Sequence, residues 1–358
     1  TAALAFTAGV CAGREPADER PASRPGRPEP PALTVREQVG QLLVSSFPGT
    51  AVPAYLGRRL RAGETTGVVL FTRNVVSRAQ LRRLTRSLQA AARGSALIAA
   101  DQEGGVIRTV PFAGPEPAQP AQVAPATAEA LARRAGRDLR AAGLSVNLAP
   151  VADVPDGPAS IVWTRAFRGN ARQVASGVAA AVRGYRSAGI AATVKHFPGL
   201  GPARQNTDDA PVTIERDRAS LAGADLVPFR AAIAERVPLV MASHALYPAL
   251  DDGDVASQSG RVLRGLLRHD LLFGGAVITD SIEAEAVVRR SSVGVAAERS
   301  IAAGADLVLM TGAGSWNAVF PRLLARARRD PTFRRRVGES AARVLALKRR
   351  LGLRPAPP

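Results

Sequence analysis

The chain has little of most residues that would classify it at a glance. Its 358 residues include one cysteine, three histidines and two lysines, and aromatics make up only 4%. A lone Cys11 excludes an intramolecular disulfide. His196, His244 and His269 are too few, at too wide a spacing, for a metal-dependent hydrolase, and His269 falls in an Arg-rich helical stretch where solvent is its expected neighbour. No nucleophile elbow surrounds a serine or the cysteine, and neither has an evident base, so Ser or Cys covalent chemistry is set aside. Beyond the N-terminus no apolar run is long enough to span a membrane. Nothing calls for a cofactor or a metal. The net charge of +18 comes almost wholly from arginine spread along helical stretches such as 78–93 and 322–336. Without interleaved aromatics that pattern speaks against nucleic acid, although weak attraction to an anionic surface is compatible with it.

The N-terminus has its own composition. Residues 1–10 are small and apolar and end at Cys11, and a Pro/Arg/Glu-rich segment follows to about Pro31 that cannot pack a core. Residues 1–32 resemble the end of a bacterial lipoprotein signal followed by a tether, with Cys11 as the lipidated residue. A plain cleaved export signal, or a tail with an incidental cysteine, is the alternative. Either export reading places the protein in the cell envelope, lipid-anchored through Cys11, or outside the cell. Oligomeric state is not legible.

From Leu33 to Leu353 short β-rich runs alternate with helical periodicity. Strands are expected near Leu42–Ser46, Gly67–Phe71, Ala96–Ala100, Val146–Val151, Ala192–Val194, Leu239–Ala242, Ala276–Thr279 and Asp306–Met310. Helices are expected between them, including Arg78–Arg93, Thr127–Ala142, Ala171–Ala188, Leu221–Glu235, Gly260–Leu271 and Val293–Ala303. Length permits two domains or one large barrel. Eight βα units make a single-domain (β/α)8 TIM barrel over 33–353 the economical α/β fold, with 354–358 a tail. An open doubly wound sheet would show a Gly-rich phosphate loop after an early strand, and Gly104-Gly105 is too short for one.

Most of the apolar runs end in a group capable of chemistry: Asp101, Asp153, Lys195 with His196, His244 and Asp280. In a barrel these ends share one face, where active sites are built. A strand-end Asp can merely cap a loop, and Asp280 could cap a helix over Ile282–Val287, but so many such positions together indicate a site. Lys195 stands out because the only other lysine is Lys348. The polar loop after it carries Asp208 and Asp209. A strand-end carboxylate and a loop carboxylate suit glycoside cleavage, in which one group is an ionised nucleophile and the other a proton donor.

These residues carry a family resemblance. Asp101-Gln102-Glu103-Gly104-Gly105, Lys195-His196-Phe197-Pro198-Gly199, Met241-Ala242-Ser243-His244 and Ile278-Thr279-Asp280-Ser281, in this order and spacing, resemble family 3 glycoside hydrolases. They are most similar to the single-barrel bacterial β-N-acetylhexosaminidases that act on peptidoglycan fragments. Asn147 to Asp153 and Ala303 to Asp306 add echoes. The resemblance implies a carbohydrate substrate, Asp280 as a nucleophile forming a covalent glycosyl-enzyme, and Asp101, Arg165, Lys195 and His196 holding sugar hydroxyls. It makes His244 a pocket-wall residue or a satisfied core histidine, and Asp153 structural.

The sequence departs from that pattern at the proton donor. The hexosaminidase loop usually reads Gly-His-Gly and ends in Asp-Ser-His, the last His being the acid/base. Here Leu200 replaces the first His and Asn206-Thr207-Asp208 stands in place of Asp-Ser-His. The sequence as read ends after one barrel, so it is expected to lack the second domain that supplies the acid/base in larger family 3 glucosidases. Arg108 lies one place out of register for a sugar-binding arginine. One expectation is a retaining exo-β-glycosidase in which Asp208, or Asp209, replaces the His, the paired carboxylates raising one pKa. The others are a β-glucosidase-type specificity, and a catalytically impaired glycan-binding envelope lipoprotein that keeps the sugar pocket.

Overall fold

The computed structural model describes residues 33–354, so the expected signal, tether and Cys11 lie outside the described residues. Ten strands are present among the described residues: β1 (Leu43–Ser45), β2 (Gly67–Leu70), β3 (Leu97–Ala100), β4 (Gln102–Gly104), β5 (Ile107–Arg108), β6 (Val146–Asn147), β7 (Ala191–Phe197), β8 (Leu239–Ala242), β9 (Ala276–Ser281) and β10 (Leu307–Leu309). Eight of them close a parallel barrel in the order β1-β2-β3-β6-β7-β8-β9-β10, and β10 pairs back to β1. The chain therefore folds as a (β/α)8 barrel. Strands β4 and β5 form a separate antiparallel hairpin just after β3, which the sequence reading did not anticipate.

Period-2 alternation builds the core in two layers. Val69, Leu97, Leu239, Met241 and Ile278 belong to the cluster inside the barrel, while Val68, Ile98, Val240 and Val277 pack outward against the helices. The helices meet them with matching stripes. In Arg78–Ala91, Ser77 accepts the Gln80 backbone N–H as N-cap, and Leu81, Leu84 and Leu88 are buried on one face. Each leucine buried this way contributes about 1.5–3 kcal/mol, and truncating fully buried Leu81 to alanine costs about 2–5 kcal/mol.

The last helix, Pro331–Arg350, begins on the Asp330 side chain, which accepts from Thr332 and Phe333 N–H. Its far end brings Val344 and Leu347 into the barrel-interior cluster. Lys348 beside them is fully buried, donates to Gln41 Oε1 at 2.6 Å, and is pushed down to about 7 by burial. Asp306, one of the family echoes, is a structural clamp. It lies just before β10, is fully buried, and is bonded by Arg268, Arg336, Arg343 and Ser340.

Several elements differ in extent from expectation. Strand β7 runs through Lys195 and His196 rather than stopping before them. The expected strand 146–151 is regular only over Val146–Asn147 and rejoins β7 at an isolated bridge between Val151 and Lys195. The Gly260–Leu271 helix is π-helical over Arg261–Asp270, and the Leu221–Glu235 stretch divides into a π-helical turn Leu221–Asp225 and a helix Val227–Ala234.

Candidate active site

The C-terminal strand ends converge on a cavity of about 500 Å³. Asp101, Arg165, Lys195, His196, Asp208 and Asp280 all line it. Its floor is a chain of paired charges. Lys195 Nζ lies 2.6 Å from both Asp101 Oδ1 and Glu103 Oε1. Glu103 also takes a two-pronged bond from Arg165, Nε to Oε2 at 2.9 Å and Nη2 to Oε1 at 2.7 Å. Burial alone would raise the Glu103 pKa, but Lys195 and Arg165 outweigh it and hold the carboxylate down at about 2. Asp101 and Glu103 overcome the burial of Lys195 and keep its ammonium charged, with its pKa raised. Glu103 was quoted in the motif without a role. Its position two residues after Asp101, at a strand end, was the signal that both side chains turn the same way.

His196 is oriented from behind. Its Nδ1 is 2.7 Å from Asp153 Oδ2, which requires the proton on Nδ1, while Asp153 Oδ1 accepts the backbone N–H of His196 and of Leu200 at 3.1 and 2.7 Å. Asp153 is fully buried and outside the cavity lining, so it positions the ring and the following loop. The ring then presents Nε2 toward Asp280, 4.0 Å from Oδ2.

Asp280 sits near the end of β9, and its Oδ1 accepts the Ser281 N–H at 2.8 Å. Burial pushes its pKa up, but His196, His244, Lys195 and that N–H together bring it below the usual value. It does not cap a helix: the next helix is Glu285–Val288, with Ala284 at its N-cap. His244 is not on the pocket wall. Its Nδ1 is 2.7 Å from Ser257 Oγ and its Nε2 2.9 Å from the Ser281 carbonyl, so the Ser257 hydroxyl donates to Nδ1 and Nε2 donates to the carbonyl. The ring is buried beside the Asp280 segment, and burial lowers its pKa.

The loop after β7 supplies the second carboxylate. Asn206 turns it, its side-chain oxygen accepting Asp208 N–H at 3.2 Å and its amide donating to Asp208 Oδ2 at 3.3 Å. The main chain then docks on the Asp280 side of the pocket: Glu285 N–H donates to Asp208 O and Ala286 N–H to Thr207 O, each at 3.1 Å. Asp208 is solvent-accessible, yet protein crowds its carboxyl closely enough that desolvation, followed by the charge of Asp280, raises its pKa. The sequence offered Asp209 as the neighbouring charge. In the structure Asp280 fills that role, and Asp209 does not line the cavity.

Two carboxyl groups with pKa values displaced in opposite directions, Asp280 down and Asp208 up, therefore face a common cavity whose floor carries hydrogen-bonding charges. A cavity of about 570 Å³ at the opposite end of the barrel, lined by Arg186, Arg236, Arg350 and apolar residues, has no carboxylate for such chemistry. Among the described residues no cluster of His, Cys, Asp or Glu could hold a metal ion.

Residues 34–347 match the model of the glycosyl hydrolase family 3 N terminal domain. The chain belongs to glycosyl hydrolase family 3. It is 36% identical over 279 residues to a beta-hexosaminidase of Stenotrophomonas maltophilia, covering 75% of this chain and 83% of that one. It is also 33% identical over 338 residues to a secreted glycosyl hydrolase of Arthroderma benhamiae, covering 89% and 95% of the two chains. Among solved structures, a beta-N-acetylhexosaminidase from Beutenbergia cavernae superposes with a TM-score of 0.82 at 32% identity, over 88% of this chain and 99% of that one. A family 3 beta-N-acetylglucosaminidase from Paenibacillus sp. gives a TM-score of 0.87 at 35% identity over 90% of this chain, which spans 63% of that longer protein. This family 3 protein is thus a glycoside hydrolase, β-N-acetylhexosaminidase-like, acting on carbohydrate. No helix among the described residues is long and apolar enough to cross a membrane.

Proposed function

We propose that this family 3 hydrolase is a retaining exo-β-glycosidase, a β-N-acetylhexosaminidase of cell-wall sugars, with Asp280 as nucleophile and Asp208 as acid/base. The observation that carries the reading is the opposite displacement of the two carboxyl pKa values within one cavity, Asp280 down and Asp208 up. In the first step an Asp280 oxygen bonds to the anomeric carbon as the glycosidic C–O bond breaks, and Asp208 gives its proton to the departing oxygen. In the second, Asp208 takes a proton from water as that water displaces Asp280, restoring both groups. Asp101, Lys195 and His196 bind and orient the sugar hydroxyls, holding the ring over Asp280. The names of the relatives favour N-acetylhexosaminides over glucosides. Export, with Cys11 as lipid anchor, completes the proposal for the segment outside the described residues.

Hydrolysis of aryl β-N-acetylglucosaminide and aryl β-glucoside by wild type and by Asp208→Asn, with and without azide, tests it. Asp208→Asn is expected to lose roughly 10²- to 10⁴-fold on a poor leaving group and far less on a good one, and azide is expected to restore turnover with formation of a β-glycosyl azide. Equal loss on both leaving groups without rescue would remove Asp208 from the acid/base role. Sugar binding without turnover by wild type would favour the glycan-binding reading. A substrate-analogue complex adds a geometric check, because retention needs the two carboxyl groups about 5–5.5 Å apart.

A further inference from the structure

The cavity of about 570 Å³ at the opposite end of the barrel combines apolar walls with unpaired positive charge. Ile190 and Phe273 are buried in its wall, while Arg186, Arg236 and Arg350 line it as exposed side chains. Arg186 is paired with Glu235, whose carboxylate also takes Arg183. Among the described residues Arg236 and Arg350 have no carboxylate partner. The backbone there is unusual as well. Arg236 and Leu272 have φ of 57° and 55°, in the left-handed region, and each directly follows a helical segment at the position where glycine is the usual residue. Gly189, at the corresponding point after the helix Ala171–Ser187, obeys that rule. Of the three non-glycine residues with such φ among the described residues, two line this cavity. Leu272 is moreover 79% exposed, so packing within the barrel does not explain its place. A strained backbone that holds out an apolar side chain beside unpaired arginines fits a surface covered by something both apolar and anionic.

Both properties meet in a bilayer that carries acidic lipids. We infer that this end of the barrel docks on an anionic phospholipid surface, with Arg236 and Arg350 binding lipid phosphates and Leu272 entering the boundary of the acyl chains. The chain enters the barrel at the same end. The helix Val35–Gly40 leads into β1, and Gln41 between them accepts from Lys348, next to the cavity-lining Leu347. An anchor upstream of Leu33 therefore connects there. The cavity that holds Asp280 opens at the other end, so docking leaves it accessible to carbohydrate. The inference goes beyond the glycosidase chemistry and does not depend on lipidation of Cys11.

The test is co-sedimentation of the whole chain, carrying Cys11→Ser to remove any lipid anchor, with vesicles of equal parts phosphatidylglycerol and phosphatidylcholine and with phosphatidylcholine alone. Binding is expected to the acidic vesicles only, and it should weaken in high salt. Arg236→Gln and Arg350→Gln should each weaken it about fivefold, and Leu272→Ser several-fold at unchanged charge. Arg83→Gln with Arg86→Gln, exposed on the helix Arg78–Ala91 at the side of the barrel, is the control for net charge and should weaken it less than about twofold. Cys11 is the only cysteine, so the same background permits labelling at one chosen site. An environment-sensitive dye on Leu272→Cys should shift to the blue on acidic vesicles, and the same dye on Val106→Cys, 93% exposed at the other end of the barrel, should not. Equal weakening by the control pair would reduce the attraction to net charge and overturn the inference. A shift at Val106→Cys instead of Leu272→Cys would overturn it too. So would a dimer sensitive to Leu272→Ser in place of vesicle binding, which would put a second copy of the chain on this face.

Discussion

The floor of the cavity and the loop that overhangs it are built on opposite plans. On the floor, side chains fix side chains: Lys195, Asp101, Glu103 and Arg165 form one linked set, and Asp153 locks His196. The loop is fixed through its main chain, by Glu285 and Ala286 N–H groups bonding the carbonyls of Asp208 and Thr207. A sugar ring must be met by several groups at set angles, which an interlocked network provides. A proton donor needs only the correct location and a suitable pKa, and backbone anchoring provides the first without dictating the second.

The largest effect should come from Asp280. Asp280→Asn is expected to lower kcat on the order of 10⁴- to 10⁶-fold, the range seen when a covalent nucleophile or its activating partner is removed. Trapping by a slow 2-fluoro glycoside, observed as added mass in wild type and absent from the variant, checks it. A variant within tenfold of wild type would place the nucleophile elsewhere.

Glu103→Gln sharpens the floor side of the comparison. It leaves Arg165 and Lys195 short of a buried countercharge, and about 3 kcal/mol of stability should be lost, read from urea unfolding near neutral pH. The sign with pH follows from linkage. The folded-state pKa of Glu103 lies below its ordinary 4.5, at about 2, so the unfolded chain takes up the proton first. That stabilisation is complete above about 4.5 and fades as pH falls toward 2. The variant should therefore lie closest to wild type in acid and furthest from it near neutrality.

The pH profile of kcat/KM probes both regions together. In the proposed mechanism Asp280 must be ionised and its pKa is lowered, so the acid limb should lie below the value usual for aspartate. In the same mechanism Asp208 must be protonated and its pKa is raised, so activity should decline as pH rises through a value above the one usual for aspartate. The two limbs belong to the pair rather than to either residue alone. In Asp208→Asn, with a good leaving group, the alkaline limb should vanish. The smallest effect is expected for Asp209→Asn, less than about threefold in kcat/KM, as for a surface change away from the reacting groups. A loss comparable to that of Asp208→Asn would reverse the two roles.

The barrel was legible because its strands are apolar runs broken at regular intervals, and period 2 sorts their residues into an inner and an outer layer. The strand-end groups were legible because a barrel brings those ends together. Contacts between distant segments were not. Glu103 gains its partners from Arg165 and Lys195, 62 residues away in one case. His244 is turned inward by Ser257 and a carbonyl that no spacing announces. The β4–β5 hairpin escaped notice because β5 is two residues long and Val106 at its tip is exposed, so no apolar alternation marks it. Nothing in the sequence marks Lys348 as buried, and only the helix that carries it into the barrel base reveals it as such.

The two hydrogen bonds that seat the Thr207 and Asp208 carbonyls have a consequence for how such a site can change over time. They involve peptide groups only, so the side chain at position 208 is invisible to them. The position behaves as a socket: its place at the cavity is set by the backbone, and the fitting can be exchanged, imidazole for carboxylate, without rebuilding the loop. Replacing Asp208 by histidine would then be a change of component rather than of architecture.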